Sequence, residues 1–124
     1  MIRSSTSLAD AARLMRDEDT GVLPIVDGER LIGVLTDRDI TVRAVAEGRD
    51  PQSTTAGEIA STTLVTIDPQ QTVAEAMRLM SEHQVRRLPV TEEDGRLVGI
   101  VSQRDLALGT SDERIGETVS NISE

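Results

Sequence analysis

The sequence predicts an α+β fold built from two copies of one small unit, each in the order helix, strand, strand, helix. The first observation is an internal repeat: SLADAARLM at residues 7–15 returns as TVAEAMRLM at residues 72–80, an offset of 65. The second is a capped amphipathic helical pattern at the start of each copy. The third is a pair of short β-rich segments around an Asp-Gly turn in each copy.

Each copy begins with residues that favour a helix. Ser7 with Asp10, and Thr72 with Glu75, have the spacing of a capping box, in which two side chains each accept from a backbone N–H of the first turn. Apolar residues follow at helical spacing, which predicts that the methionines among them belong to the core. These apolar residues are Leu8, Ala11, Ala12, Met15, Val73, Ala76, Met77 and Met80.

Two β-strands are predicted after each helix. The turns between them contain Asp27-Gly28 in the first copy and Asp94-Gly95 in the second, a combination that favours a tight hairpin. An additional strand is predicted at residues 64–67, where it leads into the second copy. The four hairpin strands are predicted at residues 22–26, 31–35, 88–91 and 97–101.

A second helix is expected after each hairpin. It starts beyond Thr36 in the first copy and beyond Ser102 in the second, and it ends at Gly48 and at about Gly109. The resulting boundaries are 1–50 for the first unit with a truncated leading strand, 51–60 for a linker with a short helix, 61–110 for the second unit, and 111–124 for a tail that can form a short helix.

The composition excludes several classes of function. The chain has no Cys and only one His, His83, which excludes disulfides, thiolate nucleophiles and Cys- or His-rich metal sites, so no metal is predicted. It has no aromatic residue on which nucleic-acid bases could stack, and its net charge of −9 argues against nucleic acids and anionic membranes as partners. No apolar run approaches the roughly 18 residues of a membrane span, so a cytoplasmic location is expected.

Two motifs that occur in both copies resemble those of tandem cystathionine-β-synthase (CBS) domains, also called a Bateman module. The first is a strand with proline between two hydrophobic residues, LPI at residues 23–25 and LPV at residues 88–90. The second has glycine, two hydrophobic residues, a hydroxyl residue and an aspartate, as GVLTDRD at residues 33–39 and GIVSQRD at residues 99–105. QVRRLPV at residues 84–90 is typical of small bacterial stand-alone pairs.

The resemblance, which covers about residues 7–108, implies both a fold and a function. It implies two pseudo-symmetric β-α-β-β-α units that pack through small mixed sheets, with two clefts between them, and commonly a homodimer. In the family the clefts often hold AMP, ADP, ATP or another adenosyl ligand, and catalysis belongs to attached domains. Only residues 1–4 correspond to the leading strand and Thr-x-x-Pro corner at residues 66–69. We therefore expect one incomplete cleft and half-site binding.

The duplicated motif supplies candidates for ribose and phosphate recognition. A carboxylate can accept hydrogen bonds from both ribose hydroxyls, which suits Asp39 and Asp105. Thr36 and Ser102 stand where a strand becomes a helix, a place that presents hydroxyls and free backbone N–H groups to a phosphate. The same spacing also fits helix caps, each worth about 1 kcal/mol, so capping and ligand binding both remain open.

The remaining candidates are basic and aliphatic. Arg86 and Arg87 precede the second LP strand, where family members often place basic residues against the phosphate, whereas the first copy has Gly and Val there, so the two clefts should differ. Arg38 and Arg104 either contact a phosphate or lie in solvent. Leu23, Ile67 and Leu88 either flank the adenine or belong to the core. Thr66 is a further candidate for ligand binding.

The leading hypothesis is a non-catalytic regulatory module that binds an adenosine nucleotide and signals through the geometry of a homodimer. The alternative is a ligand-free scaffold for dimerisation or protein interaction, in which the aspartates only cap helices. The expected partners are a nucleotide, a second copy of the chain and a regulated protein that the sequence does not identify. An enzyme is not expected, because the chain lacks a P-loop, a cysteine nucleophile and a histidine with a partner base.

Overall fold

The computed structural model describes residues 1–122, with side chains as far as residue 118. The chain divides into two compact units, unit 1 at Met1–Leu64 and unit 2 at Val65–Glu124. The predicted α+β fold is confirmed, because each unit combines helices with a two-stranded antiparallel sheet. The strands are β1 (Val22–Asp27) and β2 (Arg30–Thr36) in unit 1, and β3 (Arg87–Thr91) and β4 (Leu97–Ser102) in unit 2.

The first helix of each unit lies where the capped pattern predicts it, at α1 (Leu8–Glu18) and α4 (Val73–His83). The capping box at Thr72 is complete, since the Thr72 N–H donates to the Glu75 carboxylate and the Thr72 hydroxyl accepts from the Glu75 N–H. The box predicted in unit 1 is only half formed. There the Ser7 hydroxyl accepts from the Asp10 N–H at 3.1 Å, while the Asp10 carboxylate pairs with an arginine one turn along the helix.

The hairpins are confirmed, and glycine makes both turns possible. Gly28 and Gly95 have φ angles of 63° and 87°, in the left-handed region that a residue with a Cβ rarely adopts. Both hairpins have the same register relative to the repeat, since Val22 lies opposite Thr36 and Arg87 lies opposite Ser102. The motif residues of each unit therefore lie at the same end of its hairpin.

The strand predicted at residues 64–67 is wrong in extent, because the structure has only a single parallel bridge between Ile67 and Val90. The Ile67 N–H donates to the Pro89 carbonyl at 3.0 Å. Extension of the ladder would require an N–H from Pro89 on one side and from Pro69 on the other, and proline has none. Two prolines thus limit the pairing to one residue.

Unit 1 forms the same bridge with its first residues, the segment that corresponds in sequence to residues 66–69. Ile2 bridges Ile25 in parallel, its N–H donates to the Pro24 carbonyl at 2.9 Å, and its carbonyl accepts from Val26 at 2.9 Å. The Ile2 side chain is buried. The N-terminal segment therefore pairs with the hairpin of unit 1 in the same way as the segment around Ile67 pairs with the hairpin of unit 2.

The second helices are shorter than predicted. In unit 1, α2 (Asp37–Asp39) continues directly into a π-helical segment, Ile40–Val45, and in unit 2 α5 covers Gln103–Leu106. The chain then proceeds through turns, so the ends predicted at Gly48 and Gly109 lie beyond the helices. Gly48 still has a role in its turn, with a φ of 71°.

Each unit closes with a short helix that packs on the first residues of the same unit. The Gly57 N–H donates to the Ser4 carbonyl at 2.9 Å, and the Gly116 N–H donates to the Pro69 carbonyl at 2.8 Å. A Cβ added at Gly57 would lie 3.0 Å from the Ser4 Cβ, and one added at Gly116 would lie 3.1 Å from the Pro69 Cβ. Glycine permits this close approach. The helices are α3 (Ala56–Ile59) and α6 (Ile115–Ile122).

Each unit has its own apolar core, formed by its first helix, its hairpin and its closing helix. Within residues 1–122, no helix is both long enough and apolar enough to cross a membrane. The larger core residues of unit 1 are Ile2, Leu8, Met15, Leu23, Ile25, Leu35 and Ile59. Those of unit 2 are Ile67, Val73, Met80, Leu88, Val90, Val101, Leu106 and Ile115.

Candidate functional site

The duplicated motif forms one strand–helix corner in each unit. The unit 1 corner consists of Gly21 and residues 36–39, where β2 passes into α2. The unit 2 corner consists of residues 86–87 and 102–105, where β4 passes into α5. The same backbone bond holds both corners, since the first helical N–H donates to the residue before the hairpin, at 2.9 Å from Asp37 to Gly21 and at 2.7 Å from Gln103 to Arg86.

In the unit 1 corner, the backbone N–H groups that were expected to bind a phosphate donate to side chains of the chain itself. The Asp39 N–H donates to the Thr36 hydroxyl at 3.0 Å, and the Thr36 N–H donates to the Asp39 carboxylate at 3.0 Å. This is a complete capping box. The Arg38 N–H donates to the Asp37 carboxylate at 2.8 Å. Of the two alternatives for Thr36 and Asp39, the structure therefore contains the capping contacts.

The Asp39 carboxylate also has a cationic neighbour. The Arg43 guanidinium lies 4.0 Å from the second carboxylate oxygen, one turn further along the helical segment. The Asp39 side chain is only 15% exposed. A ribose at this position would have to compete with Arg43 and with the Thr36 N–H for the same carboxylate.

The unit 2 corner contains the equivalent pair, Ser102 and Asp105, with different contacts. The Ser102 hydroxyl accepts from the Asp105 N–H at 3.1 Å and donates to the Asp105 carboxylate at 2.7 Å. Asp105 is partly buried, and no arginine within the described residues lies within ion-pair distance of it. One of its carboxylate oxygens is thus held by Ser102, while the other has no hydrogen-bond partner among the described residues.

Three exposed arginines belong to this second corner. Arg86 accepts the Gln103 N–H through its carbonyl, Arg87 lies opposite Ser102 in the sheet, and Arg104 is the second residue of α5. Among residues 1–122, no carboxylate or carbonyl lies within pairing distance of their guanidinium groups. Unit 1 has only Arg38 in an equivalent position, next to Asp37. The two corners therefore differ strongly in charge, as the sequence predicts.

The aliphatic candidates are core residues in the structure. Leu23, Ile67 and Leu88 are each only 1% exposed, so their side chains offer almost no surface to a base. For these three residues the core alternative is the one that the structure favours. Thr66 is partly buried and precedes the bridge at Ile67, and it makes no side-chain hydrogen bond within the described part of the chain.

Comparison with known proteins identifies the family of both units. The family model for the CBS domain matches residues 1–45 and 56–109. Hypoxic response protein 1 of Mycobacterium tuberculosis is 44% identical over 117 residues, which cover 94% of this chain and 81% of the relative. The CBS domain-containing protein YhcV of Bacillus subtilis is 42% identical over 123 residues, which cover 98% of this chain and 86% of the relative.

Solved structures show the same fold. Hypoxic Response Protein I, solved with two coordinated zinc ions, matches with a TM-score of 0.76 at 45% identity, over 86% of this chain and 87% of that one. CBS domain protein PAE2072 from Pyrobaculum aerophilum, complexed with AMP, has a TM-score of 0.76 at 25% identity, over 97% and 89% of the two chains. The CBS domain pair of protein MJ0100, in complex with 5′-methylthioadenosine and S-adenosyl-L-methionine, has a TM-score of 0.72 at 26% identity, over 98% and 85%.

The first of these structures contains zinc, which proteins bind mainly through Cys, His and carboxylates. The chain contains no Cys and a single His, and residues 1–122 contain no cluster of three or more His, Cys, Asp or Glu that could hold a metal ion.

The duplicated motif, the two similar units and the matches over nearly the whole chain agree with each other, and the chain belongs to the CBS domain family as a tandem pair.

Proposed function

We propose that the chain is a non-catalytic regulatory module that binds an adenosine nucleotide at the unit 2 corner. One observation carries the proposal: Arg86, Arg87 and Arg104 lie around this corner without partners among the described residues, in a chain whose net charge is −9. A guanidinium group is well suited to phosphate, because its planar N–H groups match two phosphate oxygens. The unit 2 corner thus has the charge that a nucleotide phosphate requires.

The ribose of the nucleotide would bind to Asp105. A carboxylate accepts hydrogen bonds and cannot donate them, so it suits the two vicinal hydroxyls of a ribose. The Ser102 hydroxyl fixes the orientation of Asp105 through the 2.7 Å bond, and one carboxylate oxygen is left for the sugar. Leu23, Ile67 and Leu88 are too deeply buried to receive the adenine, and we assign no base contact to their side chains.

The complexes of relatives support this class of ligand. PAE2072 was solved with AMP, and the MJ0100 domain pair with 5′-methylthioadenosine and S-adenosyl-L-methionine. All three ligands share an adenosine moiety and differ in the group at its 5′ position. AMP, ADP and ATP are the candidates for this chain, because the arginines of the unit 2 corner favour a phosphate at that position.

A homodimer would give the binding event a regulatory output. Val42 and Val45, on the π-helical segment of unit 1, are 47% and 65% exposed, and Leu108, after α5 in unit 2, is 90% exposed. Val42 and Val45 are three residues apart on one helical segment, and neighbouring exposed apolar residues are typical of protein–protein contacts. We propose that these residues and Leu108 contact a second copy of the chain, and a nucleotide would then bias the dimer toward the geometry that binds it better.

The absorption spectrum of the purified protein tests the proposal directly. The chain has no Trp, Tyr, Phe or Cys, so it is nearly transparent between about 250 and 290 nm without a ligand. A peak near 260 nm that accompanies the protein on gel filtration and is released on denaturation would identify a bound nucleotide, whose mass names it. If the spectrum is flat, calorimetric titration with AMP, ADP and ATP follows, and no saturable binding of any of them would refute the proposal.

A ligand-free scaffold is the second candidate function, and the helix caps favour it. The Thr36–Asp39 capping box is complete, and Ser102 caps α5 through the Asp105 N–H. In this alternative the duplicated motif only stabilises helices, and the exposed apolar residues bind a partner protein. A dimer that binds no nucleotide, and in which Asp39→Ala and Asp105→Ala reduce stability alone, would favour the scaffold.

A further inference from the structure

The two corners differ in charge at three equivalent positions. Unit 1 has Gly21, Val22 and Asp37 where unit 2 has Arg86, Arg87 and Gln103. The equivalence is fixed by the bond from the first helical N–H to the carbonyl before the hairpin and by the register of the two hairpins. Two uncharged residues and an acid in unit 1 thus correspond to two bases and an uncharged amide in unit 2. The arginine and the aspartate that end the motif are present in both units.

The Asp37 carboxylate lies at the unit 1 corner, next to the backbone of Gly21. One of its oxygens accepts from the Arg38 N–H at 2.8 Å. A Cβ added at Gly21 would lie 2.8 Å from one carboxylate oxygen and 3.2 Å from the other, so the carboxylate covers Gly21. The side chain therefore uses an N–H group of the corner and also places a negative charge there.

We infer that Asp37 is a specificity-determining residue that excludes phosphate-bearing ligands from the unit 1 corner and restricts the chain to one nucleotide, at unit 2. This inference rests on the proposed function and deepens it by assigning the site and its stoichiometry. Asp37 is exposed, and two like charges a few ångströms apart repel each other even at a protein surface. A neutral nucleoside has no such conflict with a carboxylate, so the exclusion applies to the phosphate and not to adenosine.

Two variants test the inference in opposite directions, with AMP and adenosine as probes in calorimetric titrations. Asp37→Asn keeps an oxygen that can accept from the Arg38 N–H but removes the charge, and it should raise the AMP affinity of unit 1 roughly tenfold, so that a second equivalent binds. Gln103→Glu adds the charge to unit 2 with little change in shape, and it should lower AMP affinity there roughly tenfold. Adenosine binding should change in neither variant.

Matched controls separate charge at the corner from charge elsewhere. Asp27→Asn makes the same change at the opposite end of the same hairpin, five residue pairs away and therefore about 16 Å from the corner, beyond the Debye length of about 8 Å in physiological salt. Asparagine is also accepted in the Asn-Gly turn that results. Gln52→Glu adds the same charge as Gln103→Glu at an exposed position outside both corners. Both controls should bind AMP with the stoichiometry of the wild type, and circular dichroism checks that each variant is folded.

The outcomes distinguish this inference from the proposed function. Two AMP molecules per wild-type chain, unchanged AMP affinity in Gln103→Glu, or no gain in folded Asp37→Asn would each overturn the role of Asp37, while nucleotide binding itself would stand. Loss of the added site on introducing Asp39→Ala into Asp37→Asn would locate that site at unit 1 and support the inference. If neither the wild type nor any variant binds AMP, the proposed function fails and the inference fails with it.

Discussion

The Ser102 hydroxyl donates a 2.7 Å hydrogen bond to the Asp105 carboxylate and at the same time accepts from the Asp105 N–H at 3.1 Å. This double contact fixes Asp105 before any ligand binds, so a ribose would meet an acceptor that is already oriented. Little side-chain entropy would then be lost on binding, which raises affinity for a given set of contacts.

Replacement of Asp105 by asparagine should weaken AMP binding at least roughly tenfold, because the amide loses the negative charge and one acceptor for the ribose hydroxyls. Calorimetric titration measures the effect. Asp112→Asn makes the same change at an exposed position of the same unit and should leave affinity unchanged. Equal affinity in Asp105→Asn and the wild type would mean that Asp105 only caps its helix.

Replacement of Asp39 by alanine should destabilise the protein by about 1 kcal/mol, because it removes the acceptor for the Thr36 N–H and the neighbour of Arg43. Urea unfolding followed by far-ultraviolet circular dichroism measures this, since the chain has no aromatic fluorophore. Asp17→Ala breaks only an exposed pair with Arg16 and should cost less than about 0.5 kcal/mol. AMP binding should be unchanged in Asp39→Ala, and a loss of binding would place the nucleotide at unit 1 instead.

Stability should fall at acidic pH partly through Glu75. A hydrogen bond from the Gln71 side chain, then bonds from the Thr72 N–H and hydroxyl, lower the pKa of Glu75 below its usual 4.5. A carboxyl whose pKa is lower in the folded state contributes stability that is present above the unfolded pKa and is lost as pH falls through the folded pKa. The urea midpoint should therefore drop as pH falls below about 4.5.

The variant Glu75→Gln should show a smaller drop in the urea midpoint over the same acidic range, since glutamine keeps an acceptor but does not titrate. Glu93→Gln is the control, because Glu93 is exposed and makes no side-chain hydrogen bond within residues 1–122. It should retain the pH dependence of the wild type. Identical pH curves for Glu75→Gln and the wild type would contradict the prediction.

Replacement of Gly57 by alanine should destabilise unit 1 by about 1–3 kcal/mol, because the new Cβ would meet the Ser4 Cβ at 3.0 Å and the Ser4 carbonyl at 3.2 Å. Helix propensity alone would give the opposite result, a gain of up to about 1 kcal/mol. The sign of the change in the free energy of unfolding, measured with urea, therefore separates the two effects. A stabilised Gly57→Ala variant would show that α3 does not need its close contact with Ser4.

Replacement of Val45 or Leu108 by aspartate should convert a homodimer into a monomer, because each change would bury a charge at a residue that we propose contacts the second copy. Light scattering coupled to gel filtration reports the mass. Thr62→Asp introduces the same charge at an exposed polar position and should leave the dimer intact. A wild-type monomer, or dimers in both variants, would contradict the prediction.

Much of the fold could be predicted because the signals are local and occur twice. Asp27-Gly28 and Asp94-Gly95 define the hairpins by turn chemistry, and Thr72 with Glu75 defines the start of a helix by capping. The pairing of Ile2 with Ile25 agrees with the correspondence of residues 1–4 to residues 66–69, and the repeat indicates it where a single bridge between distant residues has no periodic pattern of its own. The predicted strand at residues 64–67 was too long, since the effect of Pro89 on the ladder appears only when its partner is known.

The candidate site could be predicted only as a set of residue types. The sequence placed Thr36 with Asp39 and Ser102 with Asp105 correctly at two strand–helix corners, and it found the different arginine content. It did not find Asp37, because a carboxylate that accepts from the adjacent N–H looks in sequence like an ordinary acidic residue in a first helical turn. The equivalence of α3 and α6 was also missed, although both contain a Gly-Glu pair at residues 57–58 and 116–117 that marks it.

The contact of Gly57 with Ser4, and of Gly116 with Pro69, brings the beginning and the end of each unit together. A folding unit whose termini are adjacent can be copied in tandem, inserted into a loop of a host protein or circularly permuted without disturbing its interior. This property gives a physical reason why a gene segment of this size could duplicate and persist as a pair, since each copy would retain every contact that closes it.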